Sequence, residues 1–181
     1  MGKLGKSLLT GLVATPLVCA VSGAWADDDS RRMLKAQLHG YNEVASVSTT
    51  GSGEFRAKVG RDGASFEYEL SFRDLEGDVT QAHIHFGQAG VNGGITIWLC
   101  GTASLPGPGG TPSCQGPREG TASRIVTAAD VIGPAGQGIA AGEFAEVLAA
   151  MRAGVTYANV HSTRNLGGEI RGQIRGQRGD D

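Results

Sequence analysis

Aromatic residues are scarce, at 6% of 181 residues. A chain so poor in them offers no base-stacking platform for single-stranded nucleic acid. Surplus positive charge is lacking too, since 16 Lys and Arg stand against 18 Asp and Glu, a net charge of −2. That balance argues against an electrostatic hold on nucleic acid or anionic membranes. Beyond Leu8–Ala20 there is no long apolar run, and that run is too short to span a bilayer. No Gly-rich strand-to-helix phosphate loop occurs. Nor does any long internal repeat, since the Arg-Gly-Gln triplets at Arg171 and Arg175 are local. The acidic ends, Asp27–Asp29 and Asp180–Asp181, lack the spaced oxygen ligands of a calcium loop and read as solvated tails.

The N-terminal residues read as a secretory signal. Lys3 and Lys6 precede the apolar stretch, and Ala24-Trp25-Ala26 fits a small-x-small cleavage site. Cys19 follows Leu17-Val18, which does not suit lipidation. Cleavage after Ala26 predicts an exported protein, periplasmic or extracellular, with residues 27–181 as a single domain. Loss of Lys3 and Lys6 takes the net charge from −2 to −4. A domain of this length buries roughly two-thirds of its unfolded surface.

Of three cysteines, Cys19 leaves with the signal. Cys100 and Cys114 then form an even pair, which reads as a disulfide in an exported chain. A redox-active pair is the rival reading, disfavoured because the spacing is not Cys-x-x-Cys. The Gly- and Pro-rich segment between them cannot hold itself in place, and closing it stabilises by roughly 3 kcal/mol in the chain-entropy model.

What the chain has in plenty is alternation and glycine. Phe66, Tyr68, Leu70 and Phe72 face one way, and Glu67, Glu69, Ser71 and Arg73 the other, as in a half-buried strand. Further strands are predicted near 33–40, 53–59, 80–86, 95–100, 120–126, 155–161 and 169–174. Glycine-bearing turns separate most of them, and 30 glycines suit a protein of strands and turns. The spacing predicts a mainly β fold, an antiparallel sandwich or barrel. One short helix is expected over 143–152, where Phe144, Val147, Leu148 and Met151 share a face, with Gly154 placed to stop it. A further turn is expected with Thr127 as its N-cap.

Strand parity separates polar from apolar sides. Gln81, His83 and His85 oppose Ala82, Ile84 and Phe86; Tyr157, Asn159 and His161 oppose Ala158 and Val160; Glu169, Arg171 and Gln173 oppose Ile170 and Ile174. If these strands neighbour one another, one polar face holds His83, His85, His161, Glu169 and Arg171, with His39 and Glu43 at its edge. The bland reading is the wet side of a sheet, with Glu169 and Arg171 paired. The sharper reading is a metal site of three neutral imidazoles, suited to Zn²⁺ or Cu²⁺, with Glu169 as a fourth ligand or a group orienting a ring.

Leu38-His-Gly-Tyr-Asn-Glu-Val44, Ala82-His-Ile-His-Phe-Gly87, Asn92-Gly-Gly94, Gly154-Val-Thr-Tyr-Ala-Asn-Val-His161 and Gly168-Glu-Ile-Arg-Gly-Gln-Ile174 together resemble the CHRD domain, named after chordin. The resemblance spans about 34–177 and implies a β-sandwich module, immunoglobulin-like or superoxide-dismutase-like in its Greek key. It implies little about activity, and chordin's cysteine-rich growth-factor-binding modules have no counterpart here. The His83-x-His85 pair with distant His161 is also similar in layout to the copper ligands of Cu/Zn superoxide dismutases. With only His39, His83, His85 and His161 in the chain, a two-metal dismutase site is excluded, while a mononuclear copper site is not.

Three functions compete. The first is an exported, non-catalytic binding or structural module whose polar face meets a protein or glycan partner. The second is an envelope metal-binding protein, carrying copper or zinc on the three histidines. The third is acid–base hydrolysis by Glu169 and a histidine, the least favoured because nothing in the sequence fixes the separation of the two groups; no nucleophile–base pair stands out either, which favours the first. Ser162 beside His161 points to the opposite face.

Overall fold

In a computed structural model of the chain, residues 1–2 and 31–176 are described. The predicted leader beyond Gly2 and both acidic tails lie outside the described residues. Nine strands follow in chain order: β1 (Met33–His39), β2 (Ser52–Val59), β3 (Phe66–Arg73), β4 (Val79–Phe86), β5 (Gly94–Gly101), β6 (Gly120–Val126), β7 (Thr156–Ser162), β8 (Ile170–Gln173) and β9 (Arg175–Gly176). The single α-helix among the described residues, α1 (Phe144–Arg152), joins β6 to β7.

The strands form one antiparallel sheet in the order β5-β4-β7-β8-β1-β2-β3-β6, with β9 beside β1. The sheet curls into a nearly closed barrel rather than two separate layers. In β1, β2 and β3 every second residue is buried, so one face of the sheet is apolar and the curl encloses it. Phe66, Tyr68, Leu70 and Phe72 point inward, and Leu70 pairs with Phe55 and Phe66 with Val59. Tyr68 on β3 donates its hydroxyl to the Leu99 carbonyl on β5, so a buried polar tip links the two ends of the sheet. Helix α1 presents Phe144, Val147, Leu148 and Met151 to this core, with Phe144 5.7 Å from Phe66 between ring centres. Thr127 is the N-cap of a 3₁₀ turn at Ala128–Asp130, and its N–H donates to the Asp130 carboxylate at 2.8 Å.

Cys100 and Cys114 are joined by a disulfide. Backbone bonds also hold its loop, from Cys114 N–H to Gly101 O at 2.8 Å and from Gly101 N–H to Pro112 O at 3.0 Å.

One expectation is corrected. The polar side of β4, β7 and β8 is not wet. All seven residues of β7 are buried, as are Ala82 to His85 on β4. Loops around 40–47, 87–93 and 163–168 cover that side, and they are tied to the strands beneath by hydrogen bonds to Asn159, Arg171 and His161.

Candidate metal centre

Antiparallel pairing of β4 with β7 sets His83 opposite Asn159, His85 opposite Tyr157 and Gln81 opposite His161. His161 is therefore diagonal to His83, within reach of a ring on the same face. The two-residue spacing of His83 and His85 adds the third imidazole. One ring nitrogen from each of His83, His85 and His161 lies within 4.8 Å of the others. No other histidine, cysteine, aspartate or glutamate joins this group among the described residues.

The protons on two rings follow from their partners. A carbonyl oxygen can only accept, so the nitrogen facing it must carry hydrogen. His85 Nδ1 lies 3.0 Å from Gly93 O, and His161 Nδ1 lies 3.0 Å from Leu166 O. Each neutral ring is thereby left with a bare lone pair on Nε2. His161 Nε2 faces His83 Nδ1 at 3.2 Å. His85 Nε2 and His83 Nε2 are buried without a hydrogen-bond partner.

Burial also keeps the rings neutral. It pushes His83 down to about 2, helped by His161 and then His85. It pushes His85 down to about 4, against the bond to the Gly93 carbonyl, with His161 and Arg171 adding to the depression. His161 is lowered by burial too, opposed by its bond to Leu166. Neutral imidazole is the form that ligates a metal.

Aromatic rings wall the cluster. Trp98 on β5 meets His83 edge to face at 4.3 Å, and Tyr157 stacks on His85 at 4.8 Å with planes 2° apart. The Arg171 guanidinium sits 3.3 Å from the Tyr157 ring centre. Because β7 lies between β4 and β8, Tyr157 separates His85 from Arg171. Arg171 is 1% exposed and donates to Val91 O at 2.7 Å, Gln88 O at 3.1 Å and Asn92 Oδ1 at 3.2 Å. Glu43 reaches the same layer, accepting from Asn159 Nδ2 at 2.6 Å. Burial raises its carboxyl to about 7, against the lowering effects of Asn159, Arg171 and the Val44 backbone.

The other expected members are placed differently. Glu169 is buried but turns away from the imidazoles. It accepts from Thr49 Oγ1 at 2.7 Å and from the N–H groups of Glu76 and Gly77 at 2.6 and 3.3 Å. Burial alone would raise its pKa, but these bonds and one from Ser162 outweigh it and hold the carboxyl low. The expected Glu169–Arg171 pair does not form, since Arg171 spends its donors on the 88–92 loop. His39 ends β1 opposite Ser52 and Arg171, exposed and outside the trio. Trp98 and the carbonyls of Gly93 and Leu166 went unread in the sequence. Only the Asn92-Gly-Gly94 motif hinted at the second of these.

Comparison with known proteins adds one finding: a family model described as CHRD domain matches residues 34–174. No curated protein and no solved structure matches the chain.

Proposed function

The chain belongs to the CHRD-domain family, and on that premise we propose that it is an exported, non-catalytic binding module whose ligand is one copper or zinc ion held by His83, His85 and His161. The observation that carries this reading is the pair of fixed tautomers. Gly93 O and Leu166 O each hold an Nδ1–H, which leaves Nε2 of His85 and of His161 as lone pairs, the latter facing His83 Nδ1 at 3.2 Å. A histidine cluster built only for packing would satisfy its buried nitrogens, yet His85 Nε2 has no partner. An ion about 2.0 Å from each nitrogen spans the 3.2 Å gap between His83 and His161 at roughly a tetrahedral angle. The Cys100–Cys114 disulfide supports an oxidising compartment, and with the leader-like start it supports export.

The test is metal content by mass spectrometry on protein exported in cells and purified without a histidine tag, beside a His83→Ala/His85→Ala variant. About one copper or zinc per chain is expected, lost in the variant while its circular dichroism is kept. No bound metal, and none taken up on dialysis against Zn²⁺ or Cu²⁺, overturns the reading. A protein or glycan partner is the second reading. It is favoured by Tyr41 and Leu166, 76% and 72% exposed on loops beside the site. It predicts partner capture that survives the double-alanine change but not Tyr41→Ser/Leu166→Ser.

A further inference from the structure

We infer that the site selects monovalent copper, Cu(I), over Zn²⁺ and Cu²⁺. This deepens the metal reading above and rests on it. Three features of the cluster point the same way.

The donor set carries no charge. Three imidazoles supply the ligands, and no carboxylate or thiolate among the described residues joins them. The ion's charge is thus uncompensated by its ligands. The cost of taking an ion out of water rises with the square of its charge, so a buried neutral site penalises a divalent ion far more than a monovalent one. The burial is deep, with His83 at 1%, His161 at 7% and His85 at 8% exposure.

A fixed positive charge stands behind one ligand. Arg171 lies against Tyr157, and Tyr157 against His85. The Arg171 guanidinium stands one ring away from His85, and a metal bonded to that imidazole meets the repulsion of its charge. Coulomb energy is proportional to the ion's charge, so the repulsion on Zn²⁺ or Cu²⁺ is twice that on Cu(I). Glu43 is the acidic group on this side. It is held by Asn159 rather than by a histidine, and it faces the same Arg171.

Geometry is the third. Zn²⁺ in proteins is almost always tetrahedral and completes itself with a fourth ligand. Here the three nitrogens are the whole donor set among the described residues, with Trp98 and Tyr157 packed on two of the rings. Three-coordination by neutral nitrogen donors is an arrangement that d¹⁰ Cu(I) accepts. Imidazole is a ligand common to copper and zinc, so charge and coordination number make the distinction.

The experiment uses the mature protein stripped of metal. Cu(I) is titrated anaerobically against bicinchoninate. Zn²⁺ and Cu²⁺ are titrated separately against chromophoric chelators, and each is repeated on His83→Ala/His85→Ala. The expected result is one Cu(I) per chain, bound at least about 100-fold more tightly than Zn²⁺ and more tightly than Cu²⁺, and lost in the variant. Zn²⁺ or Cu²⁺ binding as tightly as Cu(I), and lost in the same variant, overturns the selectivity but leaves the metal reading standing. No uptake of any of the three ions overturns both. Arg171→Gln is expected to lower the Cu(I)-to-Cu²⁺ affinity ratio about tenfold, whereas Arg171→Lys keeps it. A ratio unchanged in a folded Arg171→Gln protein overturns the role given to that charge, and the wild-type titrations decide the selectivity even if this variant does not fold.

Discussion

Replacing Arg171 by methionine keeps much of the stem's bulk and removes a guanidinium that is 1% exposed. Three hydrogen bonds disappear, to Val91 O, Gln88 O and Asn92 Oδ1, together with the contact over Tyr157. Bonds to a charged group are worth about 1.5–3 kcal/mol each, and a desolvated cation–π contact about 2 kcal/mol. The acceptors lie on a loop whose Gln88 to Asn92 are exposed, so water takes over part of what is lost. Methionine also escapes the cost of desolvating a charge. A net loss of about 3–5 kcal/mol follows, near the value for breaking a buried ionic contact. With a urea slope of about 2 kcal/mol/M, the unfolding midpoint falls by about 2 M. Trp98 is the readout, being the one tryptophan of the described residues and packed on His83. Hydrogen exchange adds a second readout, with the 87–93 amides losing protection first. A midpoint shift under 0.5 M, or unchanged exchange in that loop, refutes the claim that Arg171 holds the loop down.

The remaining predictions concern the site's supports and its pH dependence. Gly93→Ala should weaken metal binding at least about tenfold, because a Cβ there would lie 1.7 Å from Phe86 O and drive away the carbonyl that fixes His85; unchanged affinity in a metal titration contradicts this. Glu169→Gln should lower the melting temperature by loosening the 49–51 and 76–77 segments while leaving metal stoichiometry at the wild-type value; loss of metal would return Glu169 to the site. Glu43 has an ordinary value of 4.5 and a folded value of about 7, so between these the folded chain holds a proton that the unfolded chain has released. Stability from this group is full below 4.5 and lost as pH rises through about 7, a change of about 3 kcal/mol. His83 and His85 act oppositely: their contribution is present above 6.5 and lost as pH falls toward about 2 for His83 and about 4 for His85. The difference between wild type and Glu43→Gln in urea midpoint, measured from pH 5 to 8, isolates the Glu43 slope; parallel curves contradict it.

The barrel was legible because its strands alternate. The run from Phe66 to Arg73 announces its inner and outer sides residue by residue, and β2 pairs with it without a shift. Helix α1 was equally plain from its apolar face. The two-residue β9 is too short to leave a periodic signal. At the site, parity placed His83, His85 and His161 on one face, and the structure brings them together. Parity fails for Glu169, which follows Gly168 at a φ of 130° and precedes the paired residues of β8. At Gly168 a Cβ would also lie 2.6 Å from both Asn159 Nδ2 and Glu43 Oε1. The face looked wet because alternation reports only that two sides differ. Loops distant in sequence decide whether the polar side meets water, and the bonds from Arg171 to Gln88 and Val91 span 83 and 80 residues. No local pattern carries such information.

The three imidazoles come from rigid, centrally paired strands, but the carbonyls that set two of their tautomers come from loops. On the metal reading proposed above, ligand identity and ligand readiness are therefore separable by mutation: changes in the segments around Gly93 and Leu166 alter affinity without replacing a single histidine.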